Sequence, residues 1–224
     1  MVTVTAMSDL HGNLPLVSPC DLLLIAGDLT PGLGIEAQAD WLDGKFRNWL
    51  ERVPAREVVA VAGNHDWIFE RAPQLVPRLR WHYLQDGGVE LFGLKIYGTP
   101  WQPRFFDWAF NLDEPELAIK FNQIPEGTDI VVCHGPPLGF GDLAPRLGGG
   151  EHVGSPSLLN RVLAVRPQLC VFGHIHEGRG VYQHDGVTFA NVSVVDHRYD
   201  NVYTPMVFQI EPRNRPTPGT ASAG

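Results

Sequence analysis

A chain of 224 residues with 44% hydrophobic and 19% charged side chains has the make-up of an ordinary folded domain, which excludes a disordered chain. Its formal charge of -8, from 17 basic against 25 acidic residues, offers no basic stripe for tracking a phosphate backbone and argues against long nucleic acid as a ligand. The three cysteines, Cys20, Cys133 and Cys170, are odd in number and lack a C-x-x-C spacing. That speaks against a disulfide framework or a thiolate zinc site and fits a reducing, cytoplasmic compartment.

In chain order, strand-like runs alternate with helix-like ones, which predicts an α/β layered fold. Residues 2–7 read as a strand, because they lack the basic and long apolar regions of a signal peptide. Residues 21–26 are a strand buried on both faces, being apolar for five positions running. Over 35–53, Trp41, Leu42, Phe46, Trp49, Leu50 and Val53 share one helical face. A buried strand follows at 57–62, and then a pair of short strands at 89–97 hinged at Gly93. Residues 114–124 are helical, opened by Asp113 and Pro115, and 129–133 are a strand. Ser155-Pro156 opens a helix that stops before Pro167. A strand at 169–172 comes next, with a hairpin at 181–192 turned at Asp185-Gly186 and a last strand at 205–210. Residues 1–211 read as one domain and 212–224 as a disordered tail. No apolar run approaches the ~20 residues of a membrane span.

The chemistry gathers where these strands end. Asp9 and His11 follow the first strand, Asp28 the second and Asn64 the third. His134 follows 129–133, and His174 with His176 follow 169–172. Side chains beyond the carboxyl ends of parallel strands converge on one crevice. The i, i+2 spacing of Asp9/His11 and of His174/His176 turns both members of each pair the same way in extended backbone. Gly27, Gly63 and Gly173 each precede a candidate ligand, where a residue without a side chain lets the backbone come close.

Four imidazoles, two carboxylates and an amide oxygen, without a thiolate, suit borderline divalent ions. Manganese and iron come first, then zinc, nickel or magnesium. Two ions ~3.5–4 Å apart can activate a bridging hydroxide for in-line attack on a phosphoryl group. Asp28 is the candidate bridging carboxylate. His65, beside Asn64 but pointing elsewhere, is the candidate general acid for the leaving group, with Asp66 to orient it.

The ordered blocks Asp9-Leu10-His11, Gly27-Asp28, Gly63-Asn64-His65-Asp66, His134 and Gly173-His174-Ile175-His176 resemble the calcineurin-like metallophosphoesterase superfamily. The runs Ile96-Tyr97-Gly98-Thr99-Pro100-Trp101, His134-Gly135-Pro136-Pro137-Leu138-Gly139-Phe140 and Val171-Phe172-Gly173-His174-Ile175-His176-Glu177-Gly178 are similar to a subgroup within it. That subgroup is the metallophosphoesterase-domain-containing family, itself similar to class III cyclic-nucleotide phosphodiesterases. The resemblance covers about residues 2–211.

It implies a four-layer α-β-β-α sandwich of two mixed sheets flanked by helices. It also implies one ion on Asp9, His11, Asp28 and His176, a second on Asp28, Asn64, His134 and His174, and His65 as proton donor. Vertebrate members are expected to carry glycine where this chain has His174, so a complete ligand pair is expected here. The implied activity is hydrolysis of small phosphodiesters, cyclic nucleotides among them. The rivals are a phosphomonoesterase or phosphoprotein phosphatase, and a nucleotide-sensing binding protein with little turnover.

His82, His152, His184 and His197 read as surface or satisfied histidines, and Cys133 as a small core residue facing away from His134. The aromatics Trp101, Phe105, Phe106, Trp108 and Phe110 read either as a satellite core or as a wall for a nucleobase. In the second reading Trp101 takes the base and Arg104 meets a phosphate. The run Gly148-Gly149-Gly150 reads as a connector or as a lid over the cleft.

Overall fold

The computed structural model describes residues 1–32, 34–145, 150–199 and 203–213. Gly148 and Gly149 of the suggested connector or lid, and residues 214–224 of the tail read as 212–224, lie outside the described residues.

Strands β1 (Val2–Met7), β2 (Cys20–Ala26), β3 (Ala55–Val61) and β4 (His82–Tyr83) run parallel in one sheet. The C-terminal strand β15 (Met206–Ile210) returns antiparallel along the outer edge of β1. A second sheet is built around four parallel strands, β6 (Leu94–Thr99), β9 (Ile130–Cys133), β12 (Leu169–Phe172) and β14 (Val187–Asn191). Its edges are the antiparallel hairpin partners β5 (Gly87–Leu91) and β13 (Gly180–His184). Two short pairs decorate this frame: β7 (Gln102–Pro103) with β8 (Asn111–Leu112), and β10 (Leu143–Ala144) with β11 (Glu151–His152).

The apolar runs explain the layering, because alternate side chains of a strand leave on opposite faces. Val4, Ala6, Leu22, Leu24, Val59 and Val61 of the first sheet meet Ile130, Val132, Leu169 and Val171 of the second in one buried layer. Their neighbours Leu23, Ile25, Val58 and Ala60 face the opposite way. There they pack under Leu42, Phe46 and Leu50 of α1 (Ile35–Trp41), a π-helical turn (Leu42–Phe46) and α2 (Arg47–Leu50), and under Ile68 and Phe69 of α3 (Trp67–Arg71). Val131, Cys133, Cys170 and Phe172 likewise face Leu117 and Phe121 of α4 (Glu114–Phe121) and Leu158 and Val162 of α5 (Pro156–Val165). The four-layer sandwich expected from the resemblance is the observed architecture. Each fully buried Leu, Ile, Val or Phe contributes about 1.5–3 kcal/mol.

Local signals set the helix ends. Asp113 and Glu116 form a reciprocal capping box at the start of α4, with Pro115 in its first turn. The Ser155 hydroxyl accepts the Leu158 N–H at 3.1 Å to open α5, which closes on left-handed Arg166 just before Pro167. At their active ends the two sheets are tied together. Ser8 donates to the Val192 carbonyl at 3.1 Å and accepts from the Val194 N–H at 3.0 Å, so the turn after β1 is paired with the segment after β14.

Candidate metal centre

All seven candidate ligands sit one to four residues past the carboxyl ends of β1, β2, β3, β9 and β12, and they meet at the seam between the sheets. The Asp28 carboxylate is central. Its Oδ2 lies 3.5 Å from Nε2 of His11 and 3.5 Å from Nε2 of His134. On the His11 side, Asp9 Oδ1 lies 3.5 Å from His176 Nε2, and Asp9, His11 and His176 each offer a donor atom within 4.8 Å of one another. On the His134 side, Asn64 Oδ1 faces His134 Nε2 at 2.8 Å and His174 Nδ1 at 2.9 Å. Asp28 thus lies between the two clusters, and it also offers a donor atom within 4.8 Å of those of His11 and His65, and of those of Asp9 and His134.

Backbone geometry makes this convergence, but not by the extended pairing read from the i, i+2 spacing. Asp9, His11, Asp28 and His174 all have left-handed φ values of 57°, 43°, 51° and 67°. Non-glycine residues rarely adopt that region. Hydrogen bonds from their backbone N–H groups and carbonyls hold them there. Asp9 N–H donates to Gly27 O at 3.0 Å and His11 N–H to Asp28 O at 2.9 Å, while His174 N–H donates to Asp9 Oδ1 at 3.0 Å. The glycines before the ligands serve close approach between neighbouring loops. A Cβ on Gly63 would collide with Asp28, and one on Gly173 with the Asp9 carboxylate and the Ser8 hydroxyl.

Several features fit bound cations. His134 Nδ1 donates to the Ala26 carbonyl at 2.9 Å, so a neutral ring presents its Nε2 lone pair to the Asn64 oxygen. Two acceptors face each other there, and a cation between them removes the conflict. His176 Nδ1 donates to the Asp196 carbonyl at 2.9 Å, which aims Nε2 at Asp9; a second hydrogen bond of this kind commonly orients a ligating imidazole. His11 Nε2 is buried and makes no hydrogen bond among the described residues.

Electrostatics agree with this fit. Burial, reinforced by the neighbouring histidines, pushes His11 and His174 down to about 3, so both are neutral donors across the working range. Burial also lowers His134. For Asp9, burial is outweighed by His176, His134 and His11, which hold the carboxyl below its ordinary range. Burial beside Asp66 and Asp9 raises Asp28, with His65 opposing. Burial would lower His176, but Asp9 and the Asp196 carbonyl win and bring it up to about 9. A cation can replace the proton on each of these last two.

His65 lies beside the candidate ligands, its ring offering a donor atom within 4.8 Å of those of His11 and Asp28. Its backbone N–H donates to Asp28 Oδ1 at 2.8 Å and its backbone carbonyl accepts from Gln38 Nε2 at 2.8 Å. The ring meets His11 edge-on at 4.8 Å and packs on Trp108 at 4.3 Å. Asp66 does not orient it. The buried Asp66 carboxylate accepts from the N–H groups of Gly63, Leu29 and Thr30 and from the Thr30 hydroxyl, at 2.8–3.0 Å. It staples the loop carrying Asp28 to the loop carrying Asn64, and Trp108 packs on the His65 ring instead.

The centre opens into a cleft of about 540 Å³ whose walls include Asp28, Asn64, His65, His174 and His176. Phe105 and Trp108 line it, but Trp101 does not. The Trp101 indole N–H is taken by Asp86 at 2.8 Å, and the ring lies under Lys120 and against Phe110. Of the two readings of Trp101, the structure places it in the satellite core and not in the cleft wall. Arg104 does line the cleft, with its Nε bonded to Asp113 Oδ1 at 2.7 Å.

His82 is paired with Glu57 and lies away from the cleft, as read. His152 and His197 instead form part of its wall. Tyr199, for which the sequence held no signal, meets His11 at 4.6 Å and His176 at 5.3 Å.

A mixed nitrogen and oxygen donor set, held on rigid strand ends around one shared carboxylate, is that of a metal-dependent hydrolase. Residues 2–178 match the model of the calcineurin-like phosphoesterases, and the chain belongs to that family of metal-dependent phosphoester hydrolases. It is 38% identical to the human and mouse proteins named metallophosphoesterase domain-containing protein 1, over 93% of this chain and 71% of each of them. A solved Thermus thermophilus protein shares the fold with a TM-score of 0.55 at 13% identity, over 85% of this chain and 88% of that one. A candidate 5′-nucleotidase from Staphylococcus aureus, solved with alpha-ketoglutarate, does so with a TM-score of 0.52 at 12% identity, over 93% of this chain and 56% of that one. No helix among the described residues is long and apolar enough to cross a membrane.

Proposed function

We propose that this chain hydrolyses small phosphodiesters, cyclic nucleotides among them, using two divalent ions with manganese or iron preferred. The observation that carries the dinuclear reading is the placement of Asp28 Oδ2 at 3.5 Å from an imidazole nitrogen of each ligand set. When bound, the ions supply Lewis acidity toward the phosphoryl oxygens and acidify a water as nucleophile. Asp9, His11 and His176 would hold one of them, Asn64, His134 and His174 the other, and Asp28 both. The role of His65 is to give its imidazole proton to the leaving oxygen, from a ring fixed by Trp108 and His11.

Diester over monoester rests on the resemblance to the metallophosphoesterase-domain-containing subgroup. Arg104, the one lysine or arginine among the described cleft residues, is paired with Asp113. The cleft volume also lies within the range that encloses an organic ligand, well beyond what a phosphoryl group needs.

The test is turnover of bis(4-nitrophenyl) phosphate against 4-nitrophenyl phosphate by metal-stripped protein, with manganese, iron, zinc, nickel or magnesium restored. Metal-dependent diester hydrolysis at least about ten times faster than monoester hydrolysis is expected. The variant His65→Ala should lose about 10²–10⁴-fold in kcat while retaining metal. Preference for the monoester would make the protein a phosphomonoesterase. Tight nucleotide binding without turnover under any metal would make it a nucleotide-binding protein.

A further inference from the structure

The short pair β10–β11 carries a side-chain arrangement that the metal chemistry does not use. Asp142, just before β10, is fully buried. Its Oδ2 accepts the N–H groups of Gly139 at 2.9 Å and Gly154 at 3.1 Å, and its backbone carbonyl accepts the Val153 N–H at 3.1 Å. Those three bonds already fasten the hairpin at its base. The remaining oxygen, Oδ1, points outward and accepts Nδ1 of His152 at 2.7 Å. The His152 side chain is 57% exposed and lines the same cleft as His65, Phe105 and Trp108. Its hairpin lies against the turn His176–Gly178 that carries a candidate ligand.

A carboxylate can only accept, so Nδ1 must be the protonated nitrogen, and the tautomer and ring angle of His152 are both set. Nε2, on the far side of the ring, makes no bond among the described residues. The other three bonds of Asp142 fasten the hairpin without the one to His152. What the arrangement supplies is an imidazole nitrogen held at a fixed angle in the wall of the cleft. A preorganised hydrogen-bonding group of that kind raises affinity by reducing the ordering needed on binding.

We propose that His152 is a substrate-contacting residue, positioned by Asp142, that recognises the organic alcohol portion of the ester while the phosphoryl group lies at the seven ligands. The inference rests on the phosphoester reading above. It adds a second contact site to the cleft, suited to esters whose organic part carries a hydroxyl, carbonyl or ring nitrogen within reach of Nε2. Inorganic phosphate, having no such part, gains nothing from it.

The experiment measures binding of thymidine 5′-monophosphate and of inorganic phosphate to manganese-loaded full-length protein by calorimetry. His152→Ala is expected to weaken the nucleotide about 5- to 20-fold, the value of one hydrogen bond, and to change phosphate less than about 2-fold. His152→Gln, which returns a hydrogen-bonding group to the same wall, should recover part of the loss. Asp142→Asn, with its fold checked by circular dichroism, should lower nucleotide affinity in the same direction. Equal weakening of both ligands, or no change in either, overturns the proposal, as does wild-type protein that binds the nucleotide no better than phosphate. Because the readout is affinity, an intact His152 effect without diester turnover defeats only the diesterase reading. Diester turnover without a His152 effect defeats only this one.

Discussion

Asp66→Asn separates two accounts of the residue next to the candidate general acid. In the sequence-based account Asp66 orients His65, so the change should lower kcat and leave the fold intact. In the structure its carboxylate instead collects four donors from Gly63, Leu29 and Thr30 inside a fully buried pocket. An asparagine of the same shape keeps one acceptor oxygen. If that oxygen stays with the Thr30 N–H and hydroxyl, the new NH₂ faces the N–H groups of Leu29 and Gly63. Two buried donors without acceptors cost about 1–3 kcal/mol each, hence roughly 2–6 kcal/mol in all. That is a large part of a typical domain's stability of about 5–15 kcal/mol. At about 2–4 °C per kcal/mol for a chain of this size, the melting temperature should fall by at least about 4 °C. Metal affinity should fall with it, because the staple fixes the loop of Asp28. Differential scanning calorimetry of the metal-free protein, with metal titration beside it, reads both quantities. An unchanged melting temperature and metal affinity with a lowered kcat would refute the stapling role and restore the orienting one.

Gly173→Ala should abolish binding at the Asp9 set, since its methyl group collides with the Asp9 carboxylate and the Ser8 hydroxyl. Gly44→Ala, whose methyl meets nothing within 4 Å, should be neutral or slightly stabilising. Metal content by mass spectrometry distinguishes them, and equal content in both variants would count against the close-approach argument. Metal loading near pH 7 should release protons, because Asp28 and His176 hold theirs in the metal-free fold, His176 up to about 9. Affinity should therefore rise from pH 6 to 9. By the same sign, the His176 proton stabilises the metal-free protein fully below its ordinary value of 6.5, and that contribution is lost as pH climbs through about 9. Calorimetric titrations in buffers of different ionisation enthalpy test the release, and an affinity independent of pH would sink it. Trp101→Ala should destabilise the fold by about 1–3 kcal/mol, the ring being partly buried, and leave the KM for a phosphoester unchanged, because the indole is engaged by Asp86, Lys120 and Phe110. A raised KM at unchanged stability would return Trp101 to the cleft.

Strands buried on both faces were legible because two-sided burial demands an unbroken apolar run, and 21–26, 57–62 and 169–172 are such runs. The ligands were legible for a related reason, since each interrupts the pattern where its strand ends. The two-residue pairs β7–β8 and β10–β11 were not, being too short to show any period. The role of Asp66 was hidden by sequence adjacency. His65 is its neighbour in the chain, but its bonding partners Leu29 and Thr30 lie thirty-seven and thirty-six positions away. The sequence leaves Trp101 open between core and cleft because composition marks an aromatic segment without saying which rings Asp86 and the core claim. His152 was read as a surface histidine, since a lone imidazole in a loop carries no sign of the buried Asp142 behind it.

The left-handed backbone at Asp9, His11, Asp28 and His174 joins these observations. Each such residue costs on the order of 1–3 kcal/mol, so four in one place survive only where the surroundings over-determine them. The surroundings here are the bonds of Asp9 to Gly27, His11 to Asp28 and His174 to Asp9, together with the Ser8 link to Val192 and Val194. Every one of these joins different strand ends, and two of them, His174 to Asp9 and the Ser8 link, cross from one sheet to the other. A packed core gains nothing from bending four polar residues toward one point. A metal centre does, because its ligands must be close together before an ion arrives. Under the proposed dinuclear reading, the strain and the glycine contacts share one origin: carboxylates, imidazoles and an amide from five strand ends are brought closer than uncompensated polar groups would come.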